Sequence, residues 1–92
     1  MDFIKELETV LAQRKAEMPE GSYTTQLFSG GLDRILRKVG EETGEVIIAA
    51  KNQDADELKN EAADLFFHLL VLLRQMDMSF EDVVAVLKSR HK

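Results

Sequence analysis

An all-α fold follows from three features of the sequence. Apolar residues recur at spacings of three and four, the period-two alternation that marks strands is missing, and residues suited to helix starts and stops separate the periodic runs. Four main helices in an antiparallel bundle are the expected arrangement. The 92 residues form one domain, residues 1–92, and a chain this short buries a thin core on its own, which favours oligomerisation.

The first helix starts at Asp2, a suitable N-cap, and carries Phe3, Ile4, Leu7, Val10 and Leu11 at helical spacing. It should stop near Met18, because Pro19 disfavours helix at the preceding residue and Gly21 follows. Residues 19–31 read as the one long connection. Ser22, Tyr23, Thr24, Thr25 and Ser29 supply hydroxyls there, and Gly30-Gly31 supplies freedom. Hydroxyls and free N–H groups beside a helix start suit phosphate oxygens, whereas loops in general also favour these residues.

The second helix spans about residues 32–52. Leu32, Ile35, Leu36, Val39, Val46, Ile47 and Ala50 form its apolar face, with Arg34, Lys38, Glu41, Glu42, Glu45 and Ala49 on the other side. With Lys38 at zero, a step of ~100° places Glu41 near −60°, Glu45 near −20° and Glu42 near +40°. Gly44 costs roughly 1 kcal/mol against alanine inside a helix and suggests close approach of another backbone.

The third helix opens on Asp54 and Glu57, in the manner of a capping box, and continues to about Gln75. Residues 65–73 are apolar except for His68, so that half should be buried on every side. Glu57, Glu61, Asp64 and His68 share one narrow stripe. The fourth helix starts at Ser79, has Glu81 and Asp82 in its first turn and Lys88, Arg90, His91 and Lys92 at its end, and packs through Phe80, Val83, Val84 and Leu87.

Composition excludes several classes of function. A formal charge of −5 without a basic run argues against nucleic acid or an anionic membrane as the main partner. There is no cysteine, hence no disulfide and no thiolate zinc site. No segment reaches the ~18 apolar residues of a membrane span. The opening Met1-Asp2-Phe3-Ile4-Lys5 lacks the pattern of a signal peptide, so a cytoplasmic protein is expected.

The chemistry lies in the acids. Glu42 and Glu45 share one helix face, as do Glu61 and Asp64 one helix later. Two antiparallel helices would point both pairs into one cleft, where like charges repel. A divalent cation removes that conflict, and hard oxygen ligands favour Mg²⁺, with Mn²⁺ as a second choice. The alternative is a hydrated charged stripe in which Lys38 and Glu42 form an ordinary surface pair. For His68 two readings stand: a structural hydrogen bond to Asp64 four residues back, or support of metal-holding acids from outside the ligand set.

A metal held by Glu42, Glu45, Glu61 and Asp64 is a template for phosphoryl chemistry. Glu41 is left at the edge to orient or deprotonate a water, and Arg34 and Lys38 on the same stripe are placed to meet phosphates. Di-iron bundles use Glu-x-x-His pairs, which this chain lacks, and it carries no P-loop, nucleophilic serine signature or zinc motif.

Glu41-Glu42-x-x-Glu45 followed after fifteen residues by Glu61-x-x-Asp64 resembles the motif of the all-α MazG-type nucleotide pyrophosphatases. Gly21-Ser22-Tyr23-Thr24, Lys38-Val39-Gly40-Glu41-Glu42, Ala49-Ala50-Lys51 and Glu61-Ala62-Ala63-Asp64-Leu65 with His68 resemble, more closely, the phosphoribosyl-ATP pyrophosphatases of histidine biosynthesis. The likeness runs from about Glu20 to Arg90. Phe67 stands where that family often has tyrosine, and Thr43-Gly44 interrupts a stretch usually richer in alanine.

The resemblance implies Mg²⁺-dependent hydrolysis of the α–β phosphoanhydride of phosphoribosyl-ATP to phosphoribosyl-AMP and pyrophosphate, by a homodimer whose helices complete the site. It places Glu41, Glu42, Glu45, Glu61 and Asp64 at the acidic positions, with Lys38 and Ser22, Tyr23 and Thr24 on the substrate side. Two rivals remain at this level. One is a house-cleaning pyrophosphatase of free nucleoside triphosphates, the other a non-catalytic helical dimer whose acids bind a structural ion.

Overall fold

The computed structural model describes residues 2–91, and among them every regular element is helical. Five helices follow in order: α1 (Asp2–Glu17), α2 (Tyr23–Gly30), α3 (Leu32–Lys51), α4 (Ala55–Gln75) and α5 (Phe80–Arg90). The all-α expectation is met, with one more helix than the four main ones expected. None of these helices is long and apolar enough to cross a membrane.

The extra helix is α2, which occupies the segment expected to be loop. Ser22 caps it, its Oγ accepting from the Thr25 N–H at 3.4 Å, and Leu27 and Phe28 enter the core. Eight residues are too few to display helical periodicity among so many hydroxyls. The packing of Leu27 and Phe28 against Ile35 compensates for weak local propensity.

Local signals set the other ends. Asp2 lies in the first turn of α1 rather than capping it, and Met18 closes that helix at φ 50 just before Pro19. Asp54 caps α4 by accepting from the Glu57 N–H at 3.1 Å. At α5 the Asp82 carboxylate takes the Ser79 N–H at 2.9 Å. Gln53 and Asp77 adopt left-handed φ of 56 and 57, which folds α3 back on α4 and turns the chain out of α4.

The α3–α4 hairpin is the backbone of the molecule, with α1 and α2 packed against it. Leu11, Leu27, Phe28, Ile35, Leu70 and Val71 make the core, one or two from each of the first four helices. Helix α5 contributes only the half-buried Phe80, whose N–H also donates to Glu8 Oε2 at 2.7 Å.

Burial corrects three expectations. On α3, Ile35, Glu42 and Ala49 turn inward, whereas Leu36, Ile47 and Ile48 stand 44%, 63% and 61% exposed. The acid stripe therefore faces α4, and much of the supposed apolar face lies outside. On α4 only His68, Leu70 and Val71 are buried, and Phe66 is 55% exposed, so the apolar half is covered on one side and not all round. On α5, Phe80 and Val84 are half-buried while Val83 and Leu87 are exposed. The cause is shared: a chain this short has too few helices to cover both sides of α4. Gly44 meets no neighbouring backbone either, since a Cβ there would touch nothing within 4 Å.

Candidate active site

Lys38, Glu41, Glu42 and Glu45 are carried by α3, and Glu57, Glu61, Asp64 and His68 by α4. Residues 52–54 are so short a connection that the two helices run antiparallel, which sets the Glu42/Glu45 pair against the first half of α4. One carboxylate oxygen from each of Glu42, Glu45 and Glu61 lies within 4.8 Å of the others. Beside them opens a cleft of about 280 Å³ with Glu45, Glu57 and Glu61 in its wall.

Asp64, expected to be a fourth member, falls outside that trio and is exposed. Its backbone carbonyl accepts from His68 Nδ1 at 2.7 Å. The structural bond expected of His68 is thus present, made to the main chain rather than to the carboxylate.

The trio sets three carboxylates together with one cation at its edge, Lys38, whose Nζ is 4.0 Å from Glu42 Oε1. Burial, then the neighbouring Glu45, pushes the Glu42 carboxyl above its usual range. Glu61 is pushed up to about 7, by Glu45 first, then burial, then Glu57. The Glu45 carboxyl is held below its usual range by its neighbours, Glu61 first and Glu42 next.

Two oxygens, Oε2 of Glu42 and Oε2 of Glu61, are buried without a hydrogen-bond partner. Such atoms are costly to leave unsatisfied. An all-oxygen donor set gathered within 4.8 Å, with two unpartnered buried oxygens, fits a hard divalent cation such as Mg²⁺ or Mn²⁺.

Around the acids lie the other expected site residues. Lys38 Nζ bonds Glu41 Oε2 at 3.3 Å and reaches Glu42 Oε1 at 4.0 Å. That bond to Glu41 first, and Tyr23 next, raise the lysine further into its charged range. Arg34 is exposed a turn upstream, its stem running over Gly30. Ser22 is spent on structure, accepting from Arg14 Nη1 at 3.1 Å as well as capping α2. Thr24 is buried. Tyr23 is 44% exposed and its hydroxyl lies 2.9 Å from His68 Nε2, a link across 45 residues that no local pattern announces.

The pattern that defines the family described as phosphoribosyl-ATP pyrophosphohydrolase matches residues 4–91. The chain belongs to that family. Among similar proteins, the phosphoribosyl-ATP pyrophosphatase of Leptospira biflexa is 53% identical over 91 residues, covering 99% of both chains. That of Limosilactobacillus fermentum is 50% identical over 90 residues, covering 98% of this chain and 85% of its own. The histidine biosynthesis bifunctional protein HisIE of Bacillus subtilis is 65% identical over 88 residues, covering 96% of this chain. The chain spans only 42% of the length of that bifunctional relative.

Proposed function

We propose that the chain hydrolyses the α–β phosphoanhydride of phosphoribosyl-ATP, giving phosphoribosyl-AMP and pyrophosphate in histidine biosynthesis, with Mg²⁺ as cofactor. The observation that carries the reading is the convergence of Glu42, Glu45 and Glu61 across the α3–α4 seam, two of them with unpartnered buried oxygens. The named pyrophosphatases at 50% and 53% identity support the substrate.

In this reading Glu42, Glu45 and Glu61 would hold the cation, with Asp64 as a fourth acid one turn further along α4. Charge neutralisation of the phosphate oxygens is the chemistry that Mg²⁺ would supply there. Glu41, oriented by Lys38 at 3.3 Å, takes the proton of the attacking water. Lys38 and Arg34 meet phosphate oxygens, and of the three loop residues expected on the substrate side it is the exposed Tyr23 that faces the substrate, with Ser22 and the buried Thr24 holding α2 in place.

A homodimer belongs to the same reading. Leu36, Ile47, Ile48 and Phe66 are exposed on the two central helices, an apolar surface that a second copy would cover. Light scattering should give twice the mass of 10.4 kDa, and a monomer at micromolar concentration would refute that part.

The activity is tested by incubating the protein and Mg²⁺ with phosphoribosyl-ATP and, separately, with ordinary nucleoside triphosphates. Pyrophosphate from the first alone supports the proposal. Release from the panel alone selects the house-cleaning reading, and none from either leaves a structural ion site.

A further inference from the structure

The Tyr23–His68 contact has a chemical direction. A backbone carbonyl bears no hydrogen, so the 2.7 Å bond between His68 Nδ1 and Asp64 O requires the ring proton on Nδ1. In the neutral imidazole Nε2 is then a bare acceptor, and the 2.9 Å bond to Tyr23 must be donated by the phenol. The ring has little freedom to do otherwise. It is 6% exposed, and Tyr23 and Phe67 meet it edge-on at centroid distances of 5.9 and 5.3 Å.

Tyr23 is 44% exposed, and its phenol hydrogen is already committed to His68. Only lone pairs remain to meet a ligand. Such an oxygen repels phosphate, which offers acceptors, and welcomes a hydroxyl.

We infer that His68 is a positioning residue that holds Tyr23 as an acceptor, and that Tyr23 reads a sugar hydroxyl of the substrate rather than a phosphate. The inference rests on the phosphoribosyl-ATP reading proposed above. The α-phosphate is bonded directly to a ribose, so with the cleaved anhydride at Glu42, Glu45 and Glu61 that sugar is the next group along. His68 follows Asp64 by one turn of α4 and is bonded to its carbonyl, so Tyr23, bonded to the same ring, stands beside the turn of α4 that follows Glu61.

The test compares kcat/KM of the wild type and Tyr23→Phe on phosphoribosyl-ATP and on analogues lacking the 2′- or the 3′-hydroxyl of the triphosphate-bearing ribose. Tyr23→Phe should lose roughly three- to tenfold on the full substrate, the scale of one neutral hydrogen bond. It should lose nothing further on one of the two deoxy analogues. Equal losses on all three substrates, or no loss on the full one, overturn the contact. A wild type that turns over none of them overturns the functional reading and the contact with it.

Nitrogen NMR of the His68 ring gives an independent readout. A protonated Nδ1 and a bare Nε2 are expected at alkaline pH. A proton on Nε2 would make Tyr23 the acceptor in that bond and overturn the inference without reference to activity.

Discussion

Glu45 on α3 and Glu61 on α4 bring carboxylate oxygens within 4.8 Å of each other across the helix seam, and Glu45 is the first cause that pushes the Glu61 carboxyl up to about 7. Two carboxylates this close cannot both ionise cheaply, and Glu42 adds a third charge from the buried side. The metal-free fold carries this repulsion as a standing cost, and the consequences are measurable.

The first is a pH dependence of stability. The folded pKa of Glu61 is about 7, above the ordinary ~4.3 of a free glutamate. The folded state therefore binds more protons than the unfolded state between these values, and stability falls as pH rises through that window. Thermal melts without divalent metal should show Tm decreasing from pH 5 to pH 8. Glu61→Gln should flatten that slope and raise Tm at pH 8, and an unchanged slope would show that the acids do not interact.

Mg²⁺ should act in the opposite direction at neutral pH. A ligand that binds only the folded state at a hundredfold excess over its Kd adds about 2.7 kcal/mol. For a domain of this size that is roughly 10–20 °C in Tm. The increase should vanish in Glu42→Gln, whose side chain keeps its shape but loses its charge, and an equal increase there would place the ion elsewhere.

Asp64 lies outside the trio while its carboxylate is exposed, so its part in turnover is separable from folding. Asp64→Asn should reduce pyrophosphate release by at least about tenfold, the scale of a lost supporting group at a metal site, with an unchanged circular dichroism spectrum. The backbone carbonyl that receives His68 is untouched by this substitution. Full activity would remove Asp64 from the site.

Gly44 sits in the middle of α3 in open space. Gly44→Ala should stabilise the protein by up to about 1 kcal/mol, since alanine is the better helix former and meets no clash within the chain. Urea melts would check this. Destabilisation would reveal close packing of a second copy against that turn.

Much of the fold was legible because its signals are local. Pro19 ends α1, Asp54 and Ser79 start α4 and α5, and Glu42/Glu45 and Glu61/Asp64 carry their spacing in the chain. These act over three or four residues, within reach of one helical turn.

The short helix α2, the exposure of Leu36 and Ile47 on α3 and the Tyr23–His68 bond were not legible in that way. Each depends on what a distant segment presents: Leu27 and Phe28 need Ile35, and His68 needs a phenol 45 residues away.

By itself, the sequence determined the all-α class, most helix ends and which acids travel as pairs. Tertiary packing decided which face of α3 meets α4, and with it that Glu42, Glu45 and Glu61 converge while Asp64 turns out. The physical reason is that periodicity ranks faces by apolar content, whereas the folded chain chose to bury Ile35, Glu42 and Ala49 against α4 and to leave Ile47 and Ile48 outside. Carboxylates on the inner face repel one another, and a cation bound between them would remove that penalty.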